Sequence, residues 1–182
     1  MSLYARTEVE NDTVQAKRMF KRELPKIVGY LALVYMAIGA AVPLRLKAPG
    51  TAVWSLARES AVFGLGTAGI LLLIGAVFMR NYLLRKAPYT DFGPAASRTM
   101  IWSFRLFGAI GVPTMFFNLI QVILPASGPA GHDLFREWWI LLLLVCGMTG
   151  WMTGRSLGGL VALLAIWTSG VHVLRKLSGS SK

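Results

Sequence analysis

The stretch 138–174, WWILLLLVCGMTGWMTGRSLGGLVALLAIWTSGVHVL, decides how this chain folds. Its thirty-seven residues hold one permanent charge, Arg155, close to the midpoint. A bilayer core of about 30 Å is crossed by about 20 helical residues. One helix over the whole stretch is nearly twice that long. Two spans, 138–154 and 157–174, fit if the chain turns back at Gly154-Arg155-Ser156-Leu157-Gly158-Gly159. Glycines permit such a turn, and Arg155 then reaches lipid headgroups instead of lying in hydrocarbon. The competing form is one long helix with Gly150, Gly154 and Gly158 on a single face. Its second apolar half would then lie outside the membrane and need a protein cover.

The rest of the chain carries the same signature. It has 182 residues, 55% hydrophobic and 15% charged, with several apolar runs of membrane-spanning length. That composition predicts an all-α, polytopic transmembrane bundle. The expected spans are 26–44, 59–79, 100–124, 138–154 and 157–174, five in all, with four as the alternative. The net charge is +11, but the basic residues cluster at the ends of apolar runs. Topology and anionic headgroups account for them there, so membrane lipids are expected partners and nucleic acid is not. A single cysteine, Cys146, excludes an internal disulfide. The first apolar run begins near residue 27, and its length and Pro43 read as a retained signal anchor, not a cleaved peptide. Acids at 8, 10 and 12 count against a mitochondrial presequence.

Residues 1–25 form a polar segment. Val9, Ala16, Met19, Phe20, Leu24 and Ile27 approximate a helical stripe, which predicts an amphipathic helix lying in the membrane interface. Lys17, Arg18, Lys21 and Arg22 would rest on headgroups, and Arg155 with them. Pro25 suits the first turn of the next helix. Residues 178–182 read as a disordered tail.

Span two holds Gly64-Leu65-Gly66-Thr67-Ala68-Gly69, a match to the dinucleotide-binding string. That chemistry needs a preceding strand and a strand-to-helix turn, which are not expected here. Ser60, Gly64 and Ala68 instead make a small-residue face for close helix packing, as do Gly150 and Gly154. Span three is the richest chemically. Arg105 stands near its start, and Pro113 near its centre should kink it and free the Ala109 carbonyl. Gly111, Thr114, Asn118 and Gln121 are spaced 3, 4 and 3 and should share one face. Two carboxamides in hydrocarbon need partners, so this face either joins a neighbouring helix or lines a polar path.

Lys and Arg number six in the N-terminal segment, four in 80–99, three in 45–58 and one in 125–137. Positive-inside counting therefore puts the N-terminus and the second loop on the cytoplasmic or matrix side of a bacterial or mitochondrial inner membrane. Charge favours four spans and length favours five. Five spans place the C-terminus on the opposite side and bring His132 and His172 near one membrane face.

No catalytic set, metal-spaced ligands or cofactor motif is predicted, although structural lipids are. The expected function is a small accessory or structural subunit of a larger membrane complex, with other subunits as partners. An energy-transducing setting reflects where such proteins occur and not these residues. The alternative is a small transporter or channel using Thr114, Asn118 and Gln121 beside Pro113. A lipid- or quinone-processing enzyme is a weaker third, with only Arg105 and the His132 loop to serve it.

Overall fold

The computed structural model describes residues 3–46, 53–86, 92–126 and 128–179; among them it has helices and no strand. In order these are α1 (Leu3–Leu46), α2 (Val53–Lys86), α3 (Phe92–Asn118), a π turn (Leu119–Ile123), a single turn α4 (Leu124–Ala126) and α5 (Gly128–Gly179). The Pro49-Gly50 turn, Pro88 and residues 180–182 of the expected tail lie outside the described residues.

Among the described residues, four helices are long and apolar enough to cross a membrane, by length and composition. This is compatible with an integral membrane protein. Two expectations need correction. The chain does not turn at 154–159: α5 is helical throughout, and its one break is at Trp138 (φ −117°, ψ 20°). Residues 1–25 do not form a separate interfacial helix either, because α1 is continuous from Leu3 through Pro25 to Leu46. Lys21 and Pro25 are both exposed, so water can solvate the carbonyl that Pro25 leaves without a donor.

Why the helix runs through Gly158-Gly159 follows from what packs there. The two chain ends meet: Thr13 of α1 sits directly against Gly170 of α5. Gly39 of α1 lies on Ala57 and Ser60 of α2, Gly75 of α2 on Phe107 of α3, and Gly111 of α3 on Gly150 of α5. The four long helices therefore alternate in direction, with both described termini at one end. That places the C-terminal half of α5 beside the N-terminal half of α1, not across the bundle from it.

Two hydrophobic clusters result. One contains Leu31, Tyr35, Ala68, Phe107, Met115, Leu119, Cys146 and Leu157. The other contains Val9, Ala16, Leu83, Phe92, Ala96, Leu163, Ile166 and Val173. The first lies in a half whose outer surface is apolar, with Leu33, Ile70, Leu73, Phe117, Leu144 and Met148 among its exposed side chains. We call this half the belt. The second lies in a half with a polar surface, carrying Glu10, Lys17, Arg18, Lys21, Ser97, Arg98, His172 and Arg175. We call it the stem. In the stem Val9 and Ala16 of the 9–24 stripe are buried and Met19 and Phe20 half-buried: Phe20 meets the Trp167 ring of α5 at 6.1 Å and Lys17 Nζ lies 5.6 Å over it. The cover that a single long α5 requires is thus supplied by the same chain. That is why the glycine-rich middle need not turn.

Candidate functional site

The belt interior has a polar knot near the end away from the stem. Close approach of α1 and α2 is set by Gly39, where a Cβ would stand 2.8 Å from the Ser60 Cβ, and by Gly64, which fits against the Tyr35 ring. Ser60 Oγ lies 3.0 Å from the Tyr35 carbonyl and 2.8 Å from Asn118 Oδ1. It has one proton for these two acceptors. Asn118 Nδ2 in turn donates to the Ser60 carbonyl at 3.1 Å. Ser60 and Asn118 are fully buried, and the knot joins three helices. Reciprocal bonding of this kind satisfies groups that hydrocarbon would leave without partners.

The four-residue face expected on α3 does not exist as one surface. Gly111 packs on α5, Asn118 on α2, and Thr114 turns its hydroxyl back to the Ile110 carbonyl at 2.8 Å. Gln121 is exposed beside Arg58 and Glu59, in a groove at the far end of the belt. Gln121 leaves the face because it falls in the π turn directly after Asn118, in which the Leu124 N–H reaches the Leu119 carbonyl. This wider turn breaks the 3.6-residue register on which the shared face depended. Pro113 lies inside α3, which continues through it as helix.

The seam between α3 and α5 is glycine on glycine. A Cβ on Gly111 or Gly154 would overlap carbonyl oxygens of the facing helix, and one on Gly150 would stand 2.6 Å from the Gly111 oxygen. One turn further on, Ser103 Oγ donates to the Gly158 carbonyl at 2.7 Å. Ser60, Gly64 and Ala68 are likewise buried. Beside the seam, Leu31, Tyr35, Thr114 and Thr153 help to line a cavity of about 20 Å³. That is room for about one water.

Where belt meets stem, basic side chains gather. Lys26 and Arg155 line one groove of about 480 Å³ with Ile27, Tyr30, Trp151, Met152 and Ser156. Arg105 lines another, of about 510 Å³, with Phe78, Met79, Tyr82, Trp102 and Leu106. Arg155 is exposed and its guanidinium stands 5.9 Å over the Phe104 ring. Lys17, Arg18, Lys21 and Arg22 run up the outer side of the stem, and Arg22 bonds Glu23 at 2.7 Å. That bond, with Lys26 assisting, holds the Glu23 carboxyl below its usual range.

In the stem, Glu8 and Asp12 line a cleft of about 360 Å³ with Gln15, Gly93, Ser97, Met100 and Leu163. Burial first, and the Glu8 charge second, push the Asp12 carboxyl above its ordinary value. His132 and His172 stand forty residues apart on α5, His132 before the Trp138 break and His172 in the stem. They stand toward opposite ends of the bundle, so no site between them is available.

The sequence reading missed the role of Tyr35 as a carbonyl acceptor and the meeting of Lys26 with Arg155. Nothing local signals either, since both depend on which helices become neighbours. Comparison with protein families, with curated proteins and with solved structures found no match.

Proposed function

We propose that this chain is a structural subunit of a larger membrane assembly, anchored by the belt and projecting the stem from one membrane face. Along α3, α2 and α5 the residues that mark the two ends of the belt, Arg105 to Gln121, Glu59 to Arg80 and Trp138 to Arg155, lie sixteen to twenty-one residues apart. At 1.5 Å per residue that is about 24–32 Å, close to the thickness of a hydrocarbon core. Lys26, Arg80, Arg105 and Arg155 then stand at one interface, and Arg155 needs no turn to escape hydrocarbon. The stem adds about 35 Å of α1 and α5 beyond it. Positive-inside counting puts the stem on the cytoplasmic or matrix side of a bacterial or mitochondrial inner membrane.

One observation carries the choice of a structural role over transport. The polar side chains of the belt already have partners within the protein: Ser60 and Asn118 bond across helices, and Thr114, Thr149 and Thr153 bond the backbones of their own helices. A conduit would require polar groups facing a lumen. A cavity with room for one water is not a path.

Two measurements test this. Single cysteines in a Cys146-free background at 7–20 and at 175–179 should label from the same side, and one at 131–133 from the other. Labelling of the two ends from opposite sides would sink the orientation. Native electrophoresis after mild solubilisation should find the protein in a particle much larger than 20 kDa, with defined partners. A lone chain that conducts a solute when reconstituted would overturn the structural reading.

A further inference from the structure

The groove between α1 and α5 joins charge to apolar surface in a particular order. Lys26 on α1 and Arg155 on α5 stand at its stem side. One helical turn into the belt from each comes an aromatic ring: Tyr30 four residues after Lys26, Trp151 four residues before Arg155. The helices are antiparallel, so both cations lie at the boundary and both rings below it, with Ile27 and Met152 completing the apolar wall. The charges are not cancelled locally. Among the described residues no carboxylate pairs with Arg155, and Glu23, which Lys26 Nζ meets at 3.4 Å, is shared with Arg22. Arg22, Lys26 and Arg155 against Glu23 leave a surplus of positive charge at the mouth. The Ser156 hydroxyl donates its one proton to the Met152 carbonyl at 3.0 Å, so outward it can only accept a further bond.

We propose that this groove is a specific site for one anionic phospholipid. Its phosphodiester lies between the Lys26 ammonium and the Arg155 guanidinium, and an acyl chain runs down the wall formed by Ile27, Tyr30, Trp151 and Met152. Guanidinium binds phosphate oxygens through a planar fork, whereas ammonium acts as a point charge, so the pair both orients and neutralises the headgroup. Aromatic side chains with one polar edge suit the headgroup level. The Arg105 groove offers one cation where this one offers two, from two helices. A lipid here would also tie the points at which α1 and α5 pass from belt to stem, Lys26 and Arg155, to the membrane surface.

This site rests on the membrane placement proposed above, and the test separates the two. The full chain, purified in mild non-ionic detergent and stripped of lipid, is titrated with phosphatidylglycerol or phosphatidylcholine and read by native mass spectrometry. One phosphatidylglycerol should be retained, preferred over phosphatidylcholine by on the order of tenfold. Lys26→Gln/Arg155→Gln should abolish that preference, Lys26→Arg/Arg155→Lys should restore most of it, and Arg98→Gln/Arg175→Gln in the stem should leave it unchanged. Equal binding of the two lipids by the wild-type chain, or a preference that survives the double glutamine variant, would overturn the site. If that variant does not fold, the wild-type preference and the charge-retaining variant decide. A chain that stays monodisperse without detergent would sink the membrane reading itself.

Discussion

Belt and stem are built from the same helices but present opposite outer surfaces. In the belt the outer surface is apolar, and the interior packs Leu31, Met115 and Leu119 beside close contacts of glycines, a serine and an asparagine. In the stem the outer surface is polar, and the interior packs Val9, Ala16, Leu83, Phe92, Leu163 and Ile166 beside the close contact of Thr13 with Gly170. The helix α5 passes through both. From Trp138 to Val145 only Leu142 is not exposed, whereas from Leu157 to Leu163 every residue is buried. Both segments are apolar on all sides, yet one faces outward and the other forms the centre of a bundle. Hydropathy reports that a helix avoids water. It does not say whether lipid or protein replaces the water.

The comparison breaks most visibly at the glycine seam. Where α3 crosses α5 the backbones touch, and a side chain at Gly111 or Gly154 has only carbonyl oxygens and Cα atoms to displace. Gly111→Leu and Gly154→Leu should each destabilise the bundle by more than about 3 kcal/mol, the upper range for overpacking. Gly66→Leu and Gly147→Leu, where a Cβ meets open space, should be nearly silent. Thermal unfolding followed by size-exclusion in detergent reads the difference. Equal tolerance of all four would mean that the seam is not the packing centre.

How much of this was legible in the sequence follows from the same contrast. Helical content and spanning lengths were readable because they depend on local composition. The small-residue faces were visible as strings, since Ser60-xxx-Gly64-xxx-Ala68 needs only periodicity. The fate of 138–174 was not legible. Its length argued for a hairpin, and the cover that makes one helix possible comes from distant segments, the stripe at 9–24 of α1 together with Leu83 of α2 and Phe92, Ala96 and Ser103 of α3. Gln121 was misplaced for a local reason: a π turn has no reliable sequence sign, and a single one shifts every later residue off its face.

The exposed surfaces of the two halves offer the next test. Leu144 in the belt and Val14 in the stem are similarly exposed, at 59% and 51%. If the belt faces lipid, Leu144→Asp should oppose insertion by about 3 kcal/mol, as an acid does near the middle of a span. Val14→Asp should change stability by less than about 0.5 kcal/mol, as surface substitutions do. Glycosylation-reporter insertion assays and yield from the membrane fraction measure both. Similar outcomes for the two variants would remove the distinction between the halves.

A smaller effect is expected at the polar knot. Asn118→Leu removes both reciprocal bonds and leaves the Ser60 hydroxyl its bond to the Tyr35 carbonyl, so the loss should be about 1 kcal/mol. Ser60→Ala should cost a similar amount. Because the two share the bond, the double variant should cost less than the sum. A strictly additive pair, measured by steric-trapping or denaturant unfolding in detergent, would show that Ser60 and Asn118 act independently.

The smallest effect concerns pH and belongs to the stem alone. Asp12 is partly buried next to Glu8, and both effects raise its folded-state pKa above the ordinary value of 3.8. The folded stem therefore holds a proton that the unfolded chain has already released. Stability from this group is fully present below 3.8, falls as pH rises through the raised folded value, and is lost above it. Asp12→Asn should flatten that slope and slightly favour the stem at neutral pH; Glu8→Gln should do the same more weakly, by removing the second cause. A competing influence makes the sign informative. Gly93, in the first turn of α3, lies close to Glu8 Oε1 and Asp12 Oδ2, and a helix N-terminus favours negative charge. Hydrogen exchange of stem amides against belt amides, followed across acid to neutral pH, separates the two. If Asp12→Asn instead loosens the stem at neutral pH while leaving the belt unchanged, the carboxylate is a cap for α3 and its burial is the lesser force.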